Sequence, residues 1–163
     1  MNTLLFLSAD DFTLTRISSD VTIMKNPIQG FSLVLFYSSQ CEFCRRLTPV
    51  FNQMPEALSG CYFAMINVTT AKNRKVINMS QQSNTTITEV PLIILYFNGQ
   101  PYLRYDGENP TVEALSQFVL EVSNAFYEEN AFNQSKSKIP AFTIGQPICG
   151  DDGVCYLEYN KAY

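Results

Sequence analysis

The chain has 163 residues, enough for one domain with a short appended segment, and 46% of them are hydrophobic, including 12 Phe and 9 Tyr. A chain of this size buries about 70% of its extended-chain surface on folding, and its 16% of charged residues is too few for intrinsic disorder. With a net charge of −4 and scattered basic residues, the composition argues against nucleic acid as a partner.

The first residues, MNTLLFLSADDF, predict a short strand followed by a helix. Residues 4–8 are the apolar run, and the aspartates after it predict a helix start that leads toward Asp20. The short apolar core, the early aspartates and the lack of basic residues argue against a signal peptide. No apolar run reaches the ~20 residues that span a membrane, so we expect a cytoplasmic protein without a membrane span.

The next two elements are a buried strand and an amphipathic helix. Residues 31–37, FSLVLFY, are apolar without alternation, which is typical of a central strand covered on both faces. Residues 41–58 follow with apolar side chains spaced by three and four, which predicts a helix. Pro49 lies inside this helix and is expected to kink it.

The rest of the predicted domain contains a strand, a polar stretch, a hairpin and a last helix. The elements are a buried strand at 61–68, a weakly helical piece at 76–80, strands at 90–97 and 101–107, and a helix at 111–129. Asn98-Gly99 between the last two strands is a strong hairpin signal. Strands that alternate with helices in this order indicate an α/β fold with a mixed, largely parallel sheet covered on both faces.

Cys41 and Cys44 lie at the first turn of a helix that leaves a buried strand. Unpaired backbone N–H groups and the helix dipole stabilise a thiolate at Cys41. Cys44, one turn along, is close enough to attack a mixed disulfide formed at Cys41. The alternatives are a purely structural disulfide or half of a zinc site. Zinc is disfavoured because the chain has no His and no second Cys-x-x-Cys, so no metal or cofactor is expected.

These motifs resemble the thioredoxin family over most of residues 1–127. LVLFYSSQCEFC resembles that family's central strand and active-site turn, Pro49 falls at its helix kink, and EVPLIILYFNGQPYLRYDG resembles its cis-proline strand and hairpin. The resemblance implies a thioredoxin fold and exchange with protein disulfides, with Cys41 as nucleophile and Cys44 as resolving thiol. It also implies that Val90 and a cis-bonded Pro91 bind substrate through their backbone.

Departures from the family pattern include Glu42, Leu35 and Met65. Glu42 places a negative charge beside the nucleophile and opposes the helix dipole. The family keeps a buried acid six residues before the first cysteine and a lysine on the neighbouring strand, and these positions are Leu35 and Met65 here. Because both charged residues are replaced, neither is left buried without its partner, but the acid–base relay is lost. We therefore expect exchange that is slower but not abolished.

We predict structural roles for the remaining cysteines, Cys61, Cys149 and Cys155. Cys61 opens a buried strand, where a free cysteine behaves as a small apolar residue. Cys149 and Cys155 bracket the turn-rich GDDGV, which is compatible with a local structural disulfide. Both belong to residues 131–163, predicted to be an irregular extension after a domain at 1–130.

The extension carries a second resemblance. IPAFTIG, VCYLEY and the final NKAY are similar to carboxyl-terminal extensions of thioredoxin-like proteins from large DNA viruses. This similarity implies an alternative function, a minor capsid or capsid-associated component packaged in a virion, with residues 131–163 contacting capsid or other virion proteins. The simpler alternative is that the extension only caps its own domain.

Overall fold

A five-stranded sheet is the centre of the computed structural model, which describes residues 3–136. The elements are strands β1 (Leu5–Phe6), β2 (Thr13–Arg16), β3 (Thr22–Lys25), β4 (Phe31–Tyr37), β5 (Tyr62–Asn67), β6 (Leu92–Phe97) and β7 (Gln100–Arg104), and helices α1 (Glu42–Ala57), α2 (Lys75–Gln81) and α3 (Val112–Lys136). The sheet order is β1-β5-β4-β6-β7. β1, β5 and β4 run parallel, whereas β6 and β7 are antiparallel to their neighbours, so the predicted mixed sheet is confirmed.

β4 is buried on both faces because its side chains alternate between two apolar cores. Leu33 and Leu35 face the core shared with α1 and α3. Val34 and Phe36 face the other core, which includes residues of α2 and β3. All four side chains have no exposed surface, which confirms the predicted central strand.

α1 and α3 cover the same face of the sheet. α1 begins and ends within one residue of its predicted bounds, and it continues through Pro49. α3 starts as predicted but continues beyond 129 to Lys136. Phe118 packs edge-on against Tyr105, level with the middle of β4, and Phe126 packs against Phe31 at the start of β4. α3 therefore runs from the end of the sheet near the cysteines toward the opposite end.

The predicted helix running toward Asp20 is wrong. Only Ala9–Asp11 forms a short 3-10 turn, closed where the Ser8 N–H donates to the Asp11 carboxylate at 2.8 Å. The following residues form the β2–β3 hairpin, with Thr15 opposite Ile23. β-branched residues fit a pleated strand better than a helix, and pairing between the two short segments outweighs the helix start signal of the aspartates.

The predicted extension at 131–163 lies outside the described residues, apart from the last turns of α3. Cys149 and Cys155 are therefore outside the described part of the chain. Within residues 3–136, no helix is both long enough and apolar enough to cross a membrane.

Candidate active site

The turn between β4 and α1 positions the first cysteine. The Ser38 hydroxyl accepts the Gln40 N–H at 3.2 Å, and the Ser38 carbonyl oxygen accepts the Cys41 N–H, also at 3.2 Å. The Ser38 hydroxyl also lies 3.3 Å from the hydroxyl of Thr69, beyond the end of β5. Ser38, the residue after β4, thus holds the short turn that leads into α1, and Cys41 is the N-cap residue of α1.

Cys41 and Cys44 occupy different environments although they are one turn apart. The Cys41 side chain is half-buried, and its Sγ accepts the Cys44 N–H at 3.1 Å. Cys44 lies on the first turn of α1 and has no exposed surface. Both thiols are free. A sulfur at a helix N-terminus that accepts a backbone N–H can stabilise negative charge, and it is also the sulfur that a partner can reach.

The buried thiol resists ionisation. Burial raises the pKa of Cys44 to about 12, and the interaction with Cys41 acts in the same direction, while the Ser38 backbone opposes it. The arrangement therefore pairs an accessible sulfur with a protonated thiol that must lose its proton before it can react.

Two apolar residues lie in register on the strands that lead to this turn. Leu35 of β4 is the direct cross-strand partner of Met65 of β5, and both are buried in the core that α1 covers. On its other side Leu35 pairs with Ile93 of β6. Among residues 3–129, no Asp, Glu, Lys or Arg is buried. The described interior therefore supplies no charged group that could accept a proton from Cys44.

Val90 and Pro91 lie beside the cysteine turn. The Val90–Pro91 peptide bond is cis, and the Val90 carbonyl oxygen is 4.0 Å from Cys41 Sγ. Val90 and Pro91 are partly exposed. The structure thus brings together Cys41, Cys44, Val90 and Pro91, the four residues that the sequence analysis assigned to one site.

Cys61 is remote from this site. It precedes β5, whose Tyr62 pairs with Ser32 near the start of β4, whereas Cys41 follows the end of β4. Its Sγ donates to the Tyr62 carbonyl oxygen at 3.3 Å, and burial raises the pKa of the Cys61 thiol to about 12. Cys61 therefore packs as a small buried side chain, as the sequence suggested. Within the described residues, no group of Cys, Asp or Glu is arranged to hold a metal ion.

A groove beside the cysteine turn was not anticipated from the sequence. It consists of two adjoining cavities of about 500 and 430 Å³ that share Val68, Thr69 and Ile77 as lining. The first cavity reaches Gln40 and Arg74, and the second reaches Glu89 and Val90. We call it the α2 groove because α2 forms one wall. Its residues come from segments far apart in the chain, and the polar stretch at 69–86 gave little periodic signal.

Comparisons with known proteins agree with this fold. The family model described as Thioredoxin matches residues 13–121. An uncharacterized protein of Invertebrate iridescent virus 6, 196R, is 33% identical over all of this chain and 95% of its own length, and 020R of Invertebrate iridescent virus 3 is 32% identical over 98% of this chain and 96% of its own. Among solved structures, a mutant thioredoxin from Halobacterium salinarum superposes with a TM-score of 0.50 at 19% identity, covering 72% of this chain and 88% of its own length.

Proposed function

Because the chain belongs to the thioredoxin family, we propose that it is a thiol-disulfide oxidoreductase of low turnover that acts on protein disulfides. The observation that carries this proposal is the pairing of a half-buried sulfur at a helix N-terminus, Cys41, with a fully buried thiol one turn away, Cys44. These are the two groups that thiol-disulfide exchange requires, a nucleophile and a resolving thiol.

In the first step, the Cys41 thiolate attacks one sulfur of a substrate disulfide. A Cys41–substrate disulfide forms, and the other substrate sulfur leaves as a thiolate. Val90 and Pro91 bind the substrate backbone next to the reacting sulfur, a role supported by the 4.0 Å between the Val90 carbonyl oxygen and Cys41 Sγ.

In the second step, Cys44 loses its proton and attacks Cys41 Sγ, which releases the second substrate thiol and leaves a Cys41–Cys44 disulfide. With a pKa of about 12, only roughly one Cys44 thiol in 100,000 is ionised at pH 7. Leu35 and Met65 offer no proton acceptor. The second step is therefore the slow one.

The decisive test is reduction of insulin by the protein with dithiothreitol as the electron source. We expect measurable but slow turnover by the wild type, and none above the dithiothreitol background for Cys41→Ser. Cys61→Ser is the matched control, because it removes a buried thiol remote from the site. Equal, negligible rates for the wild type and Cys41→Ser would overturn the proposal.

A second candidate is a structural virion component that uses the thioredoxin fold. It is favoured by one observation: the two iridescent virus relatives match 100% and 98% of this chain, whereas the Thioredoxin model ends at residue 121. In this proposal residues 131–163 contact capsid or other virion proteins. Deleting residues 137–163 keeps α3 intact and is expected to prevent incorporation into particles. Unchanged incorporation of the truncated protein would rule out an anchoring role for the extension.

A further inference from the structure

The α2 groove carries a charge pattern that the proposed exchange reaction does not use. The groove borders the reacting sulfur through both of its cavities: Gln40 of the first cavity precedes Cys41 in the turn, and the carbonyl oxygen of Val90 in the second lies 4.0 Å from Cys41 Sγ. Arg74 lines the first cavity, and Glu89 lines the second. A segment of a substrate protein on one side of its reacting cysteine would therefore pass a cation and a carboxylate.

Three other basic residues near the site, Arg45, Arg46 and Lys75, have partners. The Arg45 side chain donates to the Ser39 carbonyl oxygen at 3.1 Å, and the guanidinium group of Arg46 lies 5.9 Å from the centre of the Phe43 ring. Lys75 forms an ion pair with Asp10 at 3.0 Å.

Arg74 differs from these residues. It is exposed and forms no ion pair with any residue in the described part of the chain. It is thus a cation that faces the groove without an internal counter-charge. This local charge contrasts with the net charge of −4 of the whole chain.

We propose that the α2 groove selects substrate segments that carry an acidic side chain close to the reacting cysteine, with Arg74 as the residue that recognises it. The inference rests on the proposed exchange activity and adds a substrate class to it. Opposite charges attract a partner during encounter and disfavour partners of the wrong sign, so the selectivity should appear in the rate of the first step. Glu89 in the second cavity disfavours an acidic side chain there and thus limits the preference to the first cavity, which Arg74 lines.

The test uses three short peptides, each with a single cysteine. They differ at one position near that cysteine, where the residue is Asp, Asn or Lys. Each cysteine is activated as a mixed disulfide with 2-thiopyridine, whose release as neutral 2-thiopyridone is followed by absorbance. Cys41 Sγ bonds to the peptide sulfur, the peptide–pyridyl S–S bond breaks, and the leaving thiolate takes up a proton. The reduced full-length protein is used, and the rate for Cys41→Ser is subtracted as the contribution of the other thiols.

We expect the Asp peptide to react about fivefold faster than the Asn peptide, because an exposed charge pair contributes up to about this factor, and the Lys peptide to react more slowly still. Arg74→Gln should remove the preference, and Arg74→Glu should reverse it. Lys72→Gln is the matched control, because it removes a neighbouring exposed cation that does not line the groove. High salt should reduce the preference in the wild type.

The outcomes separate the two proposals. If the wild type reacts with none of the peptides above the Cys41→Ser rate, the exchange activity itself fails. If it reacts with all three at the same rate, or if Arg74→Gln keeps the preference, the activity stands and the selection of acidic segments is overturned. If Lys72→Gln abolishes the preference as fully as Arg74→Gln, the preference comes from general surface charge rather than from the groove.

Discussion

The cysteine turn, residues 38–44, and the Leu35–Met65 pair that precedes it differ in the chemistry they retain. The turn has the features of an exchange site: Cys41 Sγ accepts a backbone N–H at 3.1 Å at a helix start. The Leu35–Met65 pair occupies the positions where the resemblance places a proton relay, and it is entirely apolar. The difference teaches that the two steps of the proposed exchange would depend on separate regions. The turn would determine how a partner reaches Cys41, while the interior would determine how readily Cys44 loses its proton.

The largest effect is expected from removing the resolving thiol. Cys44→Ala should leave the first step intact and prolong the mixed disulfide at Cys41 by at least about a thousandfold, because an intramolecular thiol is replaced by dilute external thiol. Intact-mass measurement of the covalent complex over time checks this. A complex that decays as fast in Cys44→Ala as in the wild type would show that Cys44 does not resolve it.

Restoring an acid below the turn should accelerate the second step. Leu35→Asp is expected to raise the rate of resolution about a hundredfold, the lower end of what a positioned general base contributes. It should also lower the free energy of unfolding by about 3 to 5 kcal/mol, because an apolar side chain is lost and a polar one is buried. Rapid-mixing measurements of resolution and urea unfolding give the two values.

The matched control for this change is Leu35→Asn, which has a similar size and a similar cost in stability but cannot accept a proton. Equal acceleration by Leu35→Asn would mean that packing, not proton transfer, limits the second step. Adding Met65→Lys to Leu35→Asp should recover part of the lost stability, because the two positions face each other across β4 and β5.

The slow step should depend steeply on pH. With the pKa of Cys44 raised to about 12, its thiolate fraction increases about tenfold per pH unit below that value. The rate of resolution in the wild type should therefore rise about tenfold per unit between pH 7 and pH 10. Leu35→Asp should flatten this profile. A wild-type rate that is constant across this range would contradict a protonated Cys44 as the resolving group.

A smaller effect is expected on stability at alkaline pH. The pKa values of Cys44 and Cys61 are raised to about 12 in the folded protein, above their values in the unfolded chain. Their contribution to the free energy of unfolding is therefore complete at neutral pH and is lost as pH rises toward 12, because the unfolded chain ionises first. Both thiols should therefore make the free energy of unfolding fall as pH rises above 9. Cys61→Ala should make this fall less steep in urea unfolding experiments, and an unchanged slope would argue against its buried, protonated state.

The sequence predicts the strand and helix that carry the cysteines because their apolar patterns are long and are not contradicted by local signals. FSLVLFY contains apolar residues on both faces, and the three-and-four spacing after Cys41 matches α1 within one residue. Leu35 and Met65, which the resemblance places on neighbouring strands, are direct cross-strand partners.

The β2–β3 hairpin and the α2 groove could not be predicted in the same way. The hairpin depends on pairing between Thr13–Arg16 and Thr22–Lys25, and this competes with a local helix start signal at Asp10 and Asp11. The groove depends on the approach of Arg74 and Glu89 to the cysteine turn, which only the tertiary fold determines. Residue propensity and hydrophobic periodicity describe local structure and contain no information on which distant segments come together in the fold.

The direction of α3 determines how the thiols would be oriented on a larger assembly. Phe126 packs against Phe31 at the start of β4, roughly 20 Å along the strand from the end that leads to Cys41. The helix continues from there to Lys136, about 15 Å farther. α3 thus ends on the side of the domain opposite Cys41. If residues after 136 anchor the protein, as the second proposal has it, the attachment begins on the side away from Cys41 and Cys44, the two thiols of the proposed exchange site.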